Sequence, residues 1–420
     1  MPDTADVVVI GGGVIGTSIA FALTQAGVKR VVLLEKSALA SGASGRSSAL
    51  VRMHYTNIED ARLAWASYPV FRDWTERMGG PPVFRRTGVL AVVGPEDAAA
   101  LRTNVEMLRG IGVDTTAISP AELRTLQPFV NVDDIGAAAY EPQSGYASPA
   151  DVVEGFRRQA TAGGADIRQW TPVTRIVKRD SAVTGVETPA GRIDADAVVL
   201  AAGAWAPQLC KEIGLPLAAR PKALDTMLVT RPPEMARPHM VVLDHVLGTY
   251  FRPESDVLTI AGVPCQVWDI DPDTMPTGLP PTAPVEGAQL LTQRFPSMER
   301  AELARGYRAF DCYSADRHAI LGAARGIDGL YLATAFSGSG FKIAPAVGTC
   351  MAELITEGHA RSLDISTFRP ERFAEGKLIA GKHLYKPRRD HVEPSGATSG
   401  ATSFSLRPPT SDPETGLRYS

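Results

Sequence analysis

Apolar residues gather in short unbroken runs at the beginning, middle and end of the chain: Asp6–Ile10 (DVVVI), Arg30–Leu34, Ala195–Ala201 (ADAVVLA) and Gly329–Ala335 (GLYLATA). Runs of β-branched and aliphatic residues without polar alternation predict strands covered on both faces. Between the first two lie Gly11-Gly12-Gly13-Val14-Ile15-Gly16 and a helical stretch whose apolar members include Ile19, Leu23 and Ala26, followed by Gly27 as a C-cap. Strand, glycine turn, helix and strand in that order predict a βαβ unit.

Further along, residues 165–200 alternate short strands and turns. Two strands are expected around Met240–Leu243 and Val257–Gly262, with Tyr250 and Arg252 between them, and residues 306–322 hold several aromatics and a turn. After Gly329–Ala335 comes Phe336-Ser337-Gly338-Ser339-Gly340-Phe341-Lys342, then a helix through about Glu357. Doubly covered strands in three separated places predict a discontinuous nucleotide domain, 1–85, 146–218 and 312–370. The intervening 86–145 and 219–311 are expected to form a second domain. From about Lys386 a Gly-Ala-Thr-Ser near-repeat and few large apolar residues mark 386–420 as a low-complexity tail that adds little to a core.

At 420 residues the chain exceeds what one core usually organises, which agrees with two domains. Lysine and arginine (43) nearly balance aspartate and glutamate (46), a net charge of −3. This gives no electrostatic footprint for nucleic acid or an anionic membrane. The four cysteines, Cys210, Cys265, Cys312 and Cys350, form no C-x-x-C pair and have no histidine at ligand spacing, so neither a disulfide framework nor a metal site is expected. No apolar run approaches the roughly 18 residues of a membrane span, and the N-terminus lacks a signal-peptide pattern, so a reducing, cytoplasmic location is expected.

The glycines carry the chemistry. In Gly11-x-Gly13-x-x-Gly16 the first permits the tight turn, the second lets backbone approach a pyrophosphate, and the third allows close helix–strand packing. The helix N-terminus offers free N–H groups to phosphate. Glu35 stands 19 residues beyond Gly16, where a carboxylate can accept from a ribose diol and disfavours a 2′-phosphate. The fingerprint by itself serves FAD or NAD. Ser41-Gly42-Ala43-Ser44-Gly45-Arg46-Ser47-Ser48 then follows as a second small-residue loop, suited to the far side of a pyrophosphate and the start of a flavin.

These segments, with the VVLAAGAW strand, the DRHAILG segment and the TAFSGSGFK loop, resemble the D-amino-acid oxidase/glycine oxidase/sarcosine oxidase family, above all sarcosine oxidases of the monomeric or β-subunit type. The resemblance covers most of residues 4–370. It implies an α/β fold: a Rossmann-like FAD-binding domain with an α+β substrate domain on a mainly antiparallel sheet. It implies FAD, oxidation of a C–N bond in a small amino acid or N-alkyl amino acid, and O₂ or another electron acceptor; the alternatives are a flavin dehydrogenase subunit of a hetero-oligomeric complex, or an oxidase of a larger opine, cyclic imino acid or biosynthetic amine. Oligomeric or hetero-oligomeric assembly stays open. FAD would be held by Gly11, Gly13, Val14, Ile15, Gly16, Glu35, Lys36, Ser44, Arg46, Ser47, Ser48, Val173, Ala202, Gly203, Trp205, Gly338, Ser339, Gly340, Phe341 and Lys342.

The same resemblance places Arg52 and Lys342 on a substrate carboxylate and matches Tyr250 to an aromatic of the substrate pocket, where a phenol orients substrate; the alternative for Tyr250 is a strand aromatic in the core. His245, a candidate at the catalytic site, is read with His54 and His318 either as a polar wall residue or as a structural histidine. Arg308 is a second carboxylate candidate, with a spacing to Asp316 that departs from the glycine-oxidase pattern. Two departures stand out. Thr259-Ile260-Ala261-Gly262 lacks the lysine that activates oxygen in monomeric sarcosine oxidases. Cys312 is out of register with their flavin-bonded cysteine, so non-covalent FAD is expected.

Overall fold

A computed structural model describes residues 3–235 and 238–385; the expected tail at 386–420 lies outside the described residues. Strand Asp3–Ile10 runs parallel to Val31–Leu34 on one side and to Gly191–Leu200 on the other. Asp166–Arg168 extends this sheet parallel to Val31–Leu34, and Leu330–Thr334 pairs parallel with Gly191–Leu200. Val8, Val9, Leu33, Val198, Val199 and Leu200 are fully buried, which is why these strands read as unbroken apolar runs. An antiparallel ribbon, Arg175–Arg179 with Ala182–Thr188, completes the edge.

Helix Val14–Gln25 packs between helices Pro149–Ala162 and Gly340–Glu357 on one face. The approach to the last is close. A Cβ on Gly348 would fall 2.3 Å from the Ser18 hydroxyl, which donates to the Ala344 carbonyl at 2.8 Å.

The second sheet has eight strands in the order Glu302–Ser314, Ala219–Thr230, Leu258–Val263, Thr249–Glu254, Val241–Asp244, Val89–Val93, Ala137–Glu141 and Thr116–Ile118. Every neighbouring pair is antiparallel except Val241–Asp244 with Val89–Val93. Helix Ala283–Arg294 covers one face. Its fully buried Arg294 donates to Asp244 at 2.6 Å and to Asp134 at 2.8 Å. A buried guanidinium is tolerated because both carboxylates answer it.

One strand escaped the sequence pattern. Tyr250 and Arg252 lie on Thr249–Glu254, paired on both sides, rather than in a connection. Arg252 and Pro253 mask the strand's apolar character. Arg252 is buried all the same, 4.1 Å over the Tyr146 ring and paired with Glu254.

Candidate functional site

The first strand ends at Gly11, whose φ of +111° suits glycine alone. A Cβ on Gly16 would lie 1.9 Å from the Gly11 carbonyl oxygen, so the turn can fold only with glycine there. Glu35, at the end of the second strand, accepts the Gly12 amide at 2.7 Å and the Ser37 amide at 2.8 Å. The Ser44 hydroxyl accepts the Val14 amide at 2.9 Å, tying the second small-residue loop to the helix N-terminus. Arg46 donates to the carbonyls of Ser41 and Gly42, and Lys36 lies 4.8 Å over the Trp205 ring.

From this turn one cavity of about 660 Å³ runs between the two sheets. It is lined by Gly11, Gly13, Val14, Ile15, Glu35, Lys36, Ser44, Arg46, Ser47, Ser48, Val173, Ala202, Gly203 and Trp205, then by Gly338, Gly340, Phe341, Lys342, Arg52 and Tyr250. Three expected residues do not line it. Gly16 supports the turn from behind. Ser339 stays off the lining, although its carbonyl is 3.5 Å from the Lys342 ammonium. His245 is partly buried away from the cavity lining with its ring 4.8 Å from that of Tyr385, and loss of solvent lowers its pKa to about 4.

Arg52 and Lys342 meet at the far end. Arg52 donates to the His54 carbonyl and lies 4.5 Å over the Tyr55 ring, while its buried Nε has no hydrogen-bond partner. The Lys342 ammonium approaches the carbonyls of Gly338 and Ser339, at 3.4 and 3.5 Å, and the Tyr55 ring at 5.9 Å, with Asp60 and Asp311 near enough to act on it by charge. Burial, reinforced by Arg52, pushes its pKa well below the usual lysine value. Neither cation has a carboxylate within ion-pair distance among the described residues. Two cations taken out of water without a counterion are costly unless a ligand supplies the negative charge.

Other candidates have structural employment. Arg308 grips Asp225 with two hydrogen bonds of 2.7 Å, and His318 binds Asp60 at 2.6 Å. His54, also buried, shares a hydrogen bond of 2.8 Å with Tyr385. The Tyr385 hydroxyl accepts from Asn104 as well, at 2.9 Å. Cys312 is buried in the core of the first sheet, while Asp311 and Tyr313, its neighbours on the strand, line the cavity.

Asp311 and Lys222 were not singled out from the sequence. They face each other in register on adjacent strands of the second sheet, and both line the cavity. Asp311 accepts the amides of Gly338 at 2.7 Å and Cys312 at 2.8 Å, and burial pushes its carboxyl up to about 6. Strand alternation around Cys312 would have pointed to Asp311, whereas Lys222 depends on pairing between distant segments.

The residues present fit FAD. The glycine turn leaves helix amides free for a pyrophosphate, Glu35 reaches the first strand's end, and the indole N–H of Trp205 is buried without an acceptor. A strand–glycine–helix turn opening into a cavity also lined by two cations, neither with a carboxylate at ion-pair distance among the described residues, describes a flavin-dependent oxidoreductase. The family model "DAO: FAD dependent oxidoreductase" matches residues 6–354, and the chain belongs to that family.

Among its relatives, human mitochondrial sarcosine dehydrogenase is 29% identical over 91% of this chain, which spans only 42% of that longer protein. Mouse FAD-dependent oxidoreductase domain-containing protein 1 is 28% identical over 90% of this chain and 86% of its own length. Of solved structures, L-proline dehydrogenase from P. horikoshii superposes with a TM-score of 0.82 at 26% identity, over 90% of this chain and all of the other. Glycine oxidase from Geobacillus kaustophilus, at 24% identity and a TM-score of 0.77, shares the fold over 88% of this chain and 99% of its own. No helix among the described residues is long and apolar enough to cross a membrane.

Proposed function

We propose that the protein oxidises the C–N bond of an α-amino acid or N-alkyl amino acid of the sarcosine type, giving an imine that hydrolyses to an aldehyde or keto acid. The observation that carries this reading is the pair Arg52 and Lys342, both lining the cavity with no carboxylate within ion-pair distance among the described residues. A substrate carboxylate answers both charges, and charge-assisted hydrogen bonds fix its orientation. FAD, when bound, supplies the two-electron acceptor for the carbon attached to nitrogen.

This chain's residues do the rest. Arg52 and Lys342 hold the carboxylate, Tyr250 lines the wall beside it, and the N-terminus of helix Gly340–Glu357 presents a positive dipole end to developing negative charge. The relatives named for sarcosine and proline support substrates of this class. The four free cysteines, all buried, support a reducing compartment such as the cytoplasm. Cys312 faces the core, which supports non-covalent FAD.

The direct test is anaerobic flavin bleaching with a panel of N-methyl, cyclic and D-amino acids, set against amines lacking the carboxylate. Bleaching by carboxylate-bearing amines alone is expected; equal bleaching by simple alkylamines would overturn the assignment. Reoxidation by O₂ and by an artificial acceptor, compared on the same sample, then tells oxidase from dehydrogenase.

A further inference from the structure

We infer that Tyr55 is a positioning residue for the substrate carboxylate, its ring face holding Arg52 and Lys342 together at the cavity wall. The inference rests on the assignment of those two cations to the carboxylate and adds the residue that keeps them in place.

The Arg52 guanidinium lies over the Tyr55 ring at 4.5 Å, and the Lys342 ammonium lies over the same ring at 5.9 Å. Both distances fall within the roughly 6 Å at which the negative face of an aromatic ring attracts a cation. Tyr55 is itself buried and does not line the cavity, so it acts on a ligand only through the two cations.

The fold fixes the ring from two sides. Glu141 accepts the Met53 amide at 3.0 Å, and Arg52 donates to the His54 carbonyl. Just beyond Tyr55, Asn57 caps helix Ile58–Arg72 by accepting the Asp60 amide at 2.8 Å. Lys342 comes from the first turn of helix Gly340–Glu357, so one ring joins two separate parts of the chain.

The acids nearest the pair are engaged elsewhere. Asp60 holds His318 at 2.6 Å, and Asp311 accepts the amides of Gly338 and Cys312. Glu141 accepts the Ser144 hydroxyl at 2.6 Å besides the Met53 amide. Asp60 and Asp311 act on Lys342 by charge without pairing with it. The ring face is the negative surface set against both cations. The buried phenol oxygen has no hydrogen-bond partner. Burial pushes its pKa up to about 12 against the opposing pull of Arg52 and Ser339, so the phenol stays neutral and the ring carries the interaction.

A consequence follows for pH. Lys342 grips a carboxylate only as an ammonium, and both burial and Arg52 oppose that charge. A ring face favours the charged form and extends carboxylate binding to higher pH. Affinity falls as rising pH removes the ammonium, and without the ring the fall comes at lower pH.

The test uses the flavin-loaded protein, titrated with acetate and propionate from neutral to alkaline pH, with Kd read from the change each causes in the flavin spectrum. Tyr55→Leu should raise Kd roughly tenfold near neutral pH and move the alkaline fall in affinity about one unit lower. Tyr55→Phe keeps the ring and should match wild type in both. Pentafluorophenylalanine at position 55 keeps the shape of phenylalanine but reverses the charge of the ring face, and it should behave as Tyr55→Leu does. If Tyr55→Leu does not fold, these two rings of nearly equal shape decide alone. A fluorinated variant with the wild-type Kd and pH profile would overturn the inference. So would a loss in Tyr55→Phe as large as that in the fluorinated variant. In both cases carboxylates would still bind the wild type, and the carboxylate site would stand. Absence of any spectral change with either carboxylate in the wild type would overturn the site and the inference together.

Discussion

Asp311 accepts the amide of Gly338 at 2.7 Å, so a partly buried carboxyl on the second sheet fastens the loop that leads into the Lys342 helix. Burial raises that carboxyl from its ordinary 3.8 to about 6. The folded state therefore holds the proton more tightly than the unfolded one, and stability should be fullest below about pH 4 and decline as pH rises through about 6. The loss attributable to this group is on the order of 3 kcal/mol. Asp311→Asn should remove it, flattening the change in urea midpoint between pH 4 and pH 7. Parallel pH profiles for the two proteins would refute the assignment.

Arg52→Met and Lys342→Met should each weaken a carboxylate substrate by about 1.5–3 kcal/mol, roughly 10- to 150-fold in KM. An amine without a carboxylate should show no such loss. Steady-state kinetics with sarcosine and a matched alkylamine provide the comparison, and wild-type KM in both variants would move the substrate site elsewhere.

Gly16→Ala places a methyl 1.9 Å from a backbone oxygen that cannot retreat without opening the turn. The expected cost is about 1–3 kcal/mol of overpacking. The purified variant should carry well under one flavin per chain and melt at a lower temperature. Absorbance at the flavin band relative to protein, with a thermal melt, decides the point.

Only a neutral amine has the lone pair that its oxidation requires, so kcat/KM should rise with pH toward an alkaline plateau. A profile flat from acid to alkaline pH would count against amine oxidation. Acid precipitation of the same preparation should leave the flavin in the supernatant, because Cys312 points into the core of the first sheet.

The nucleotide half of the molecule was legible because its signals are local. Val7–Ile10, the glycine turn and Val31–Leu34 are neighbours in sequence and in space, and full burial leaves the strands as plain apolar runs. Arg52 and Lys342 were reached by resemblance, not by pattern. Thr249–Glu254 was hidden because Arg252 is buried by stacking on Tyr146 and pairing with Glu254, compensation that no window of residues reveals. Lys222 and Asp311 meet only through the register of two long strands, which the chain sets far from either residue. His245 shows the reverse error: a polar residue in a suggestive place whose ring turns to Tyr385 instead of the cavity.

Tyr385 carries a consequence for handling the protein. His54 and Tyr385 are 331 positions apart yet share a hydrogen bond, and the same hydroxyl accepts from Asn104. A proteolytic cut just before Tyr385 would admit water to His54 and His245, both kept neutral at present by burial. Each could then take up a proton beside Arg52, and a clipped preparation would meet its substrate with an altered charge at the binding end while its flavin colour stayed the same.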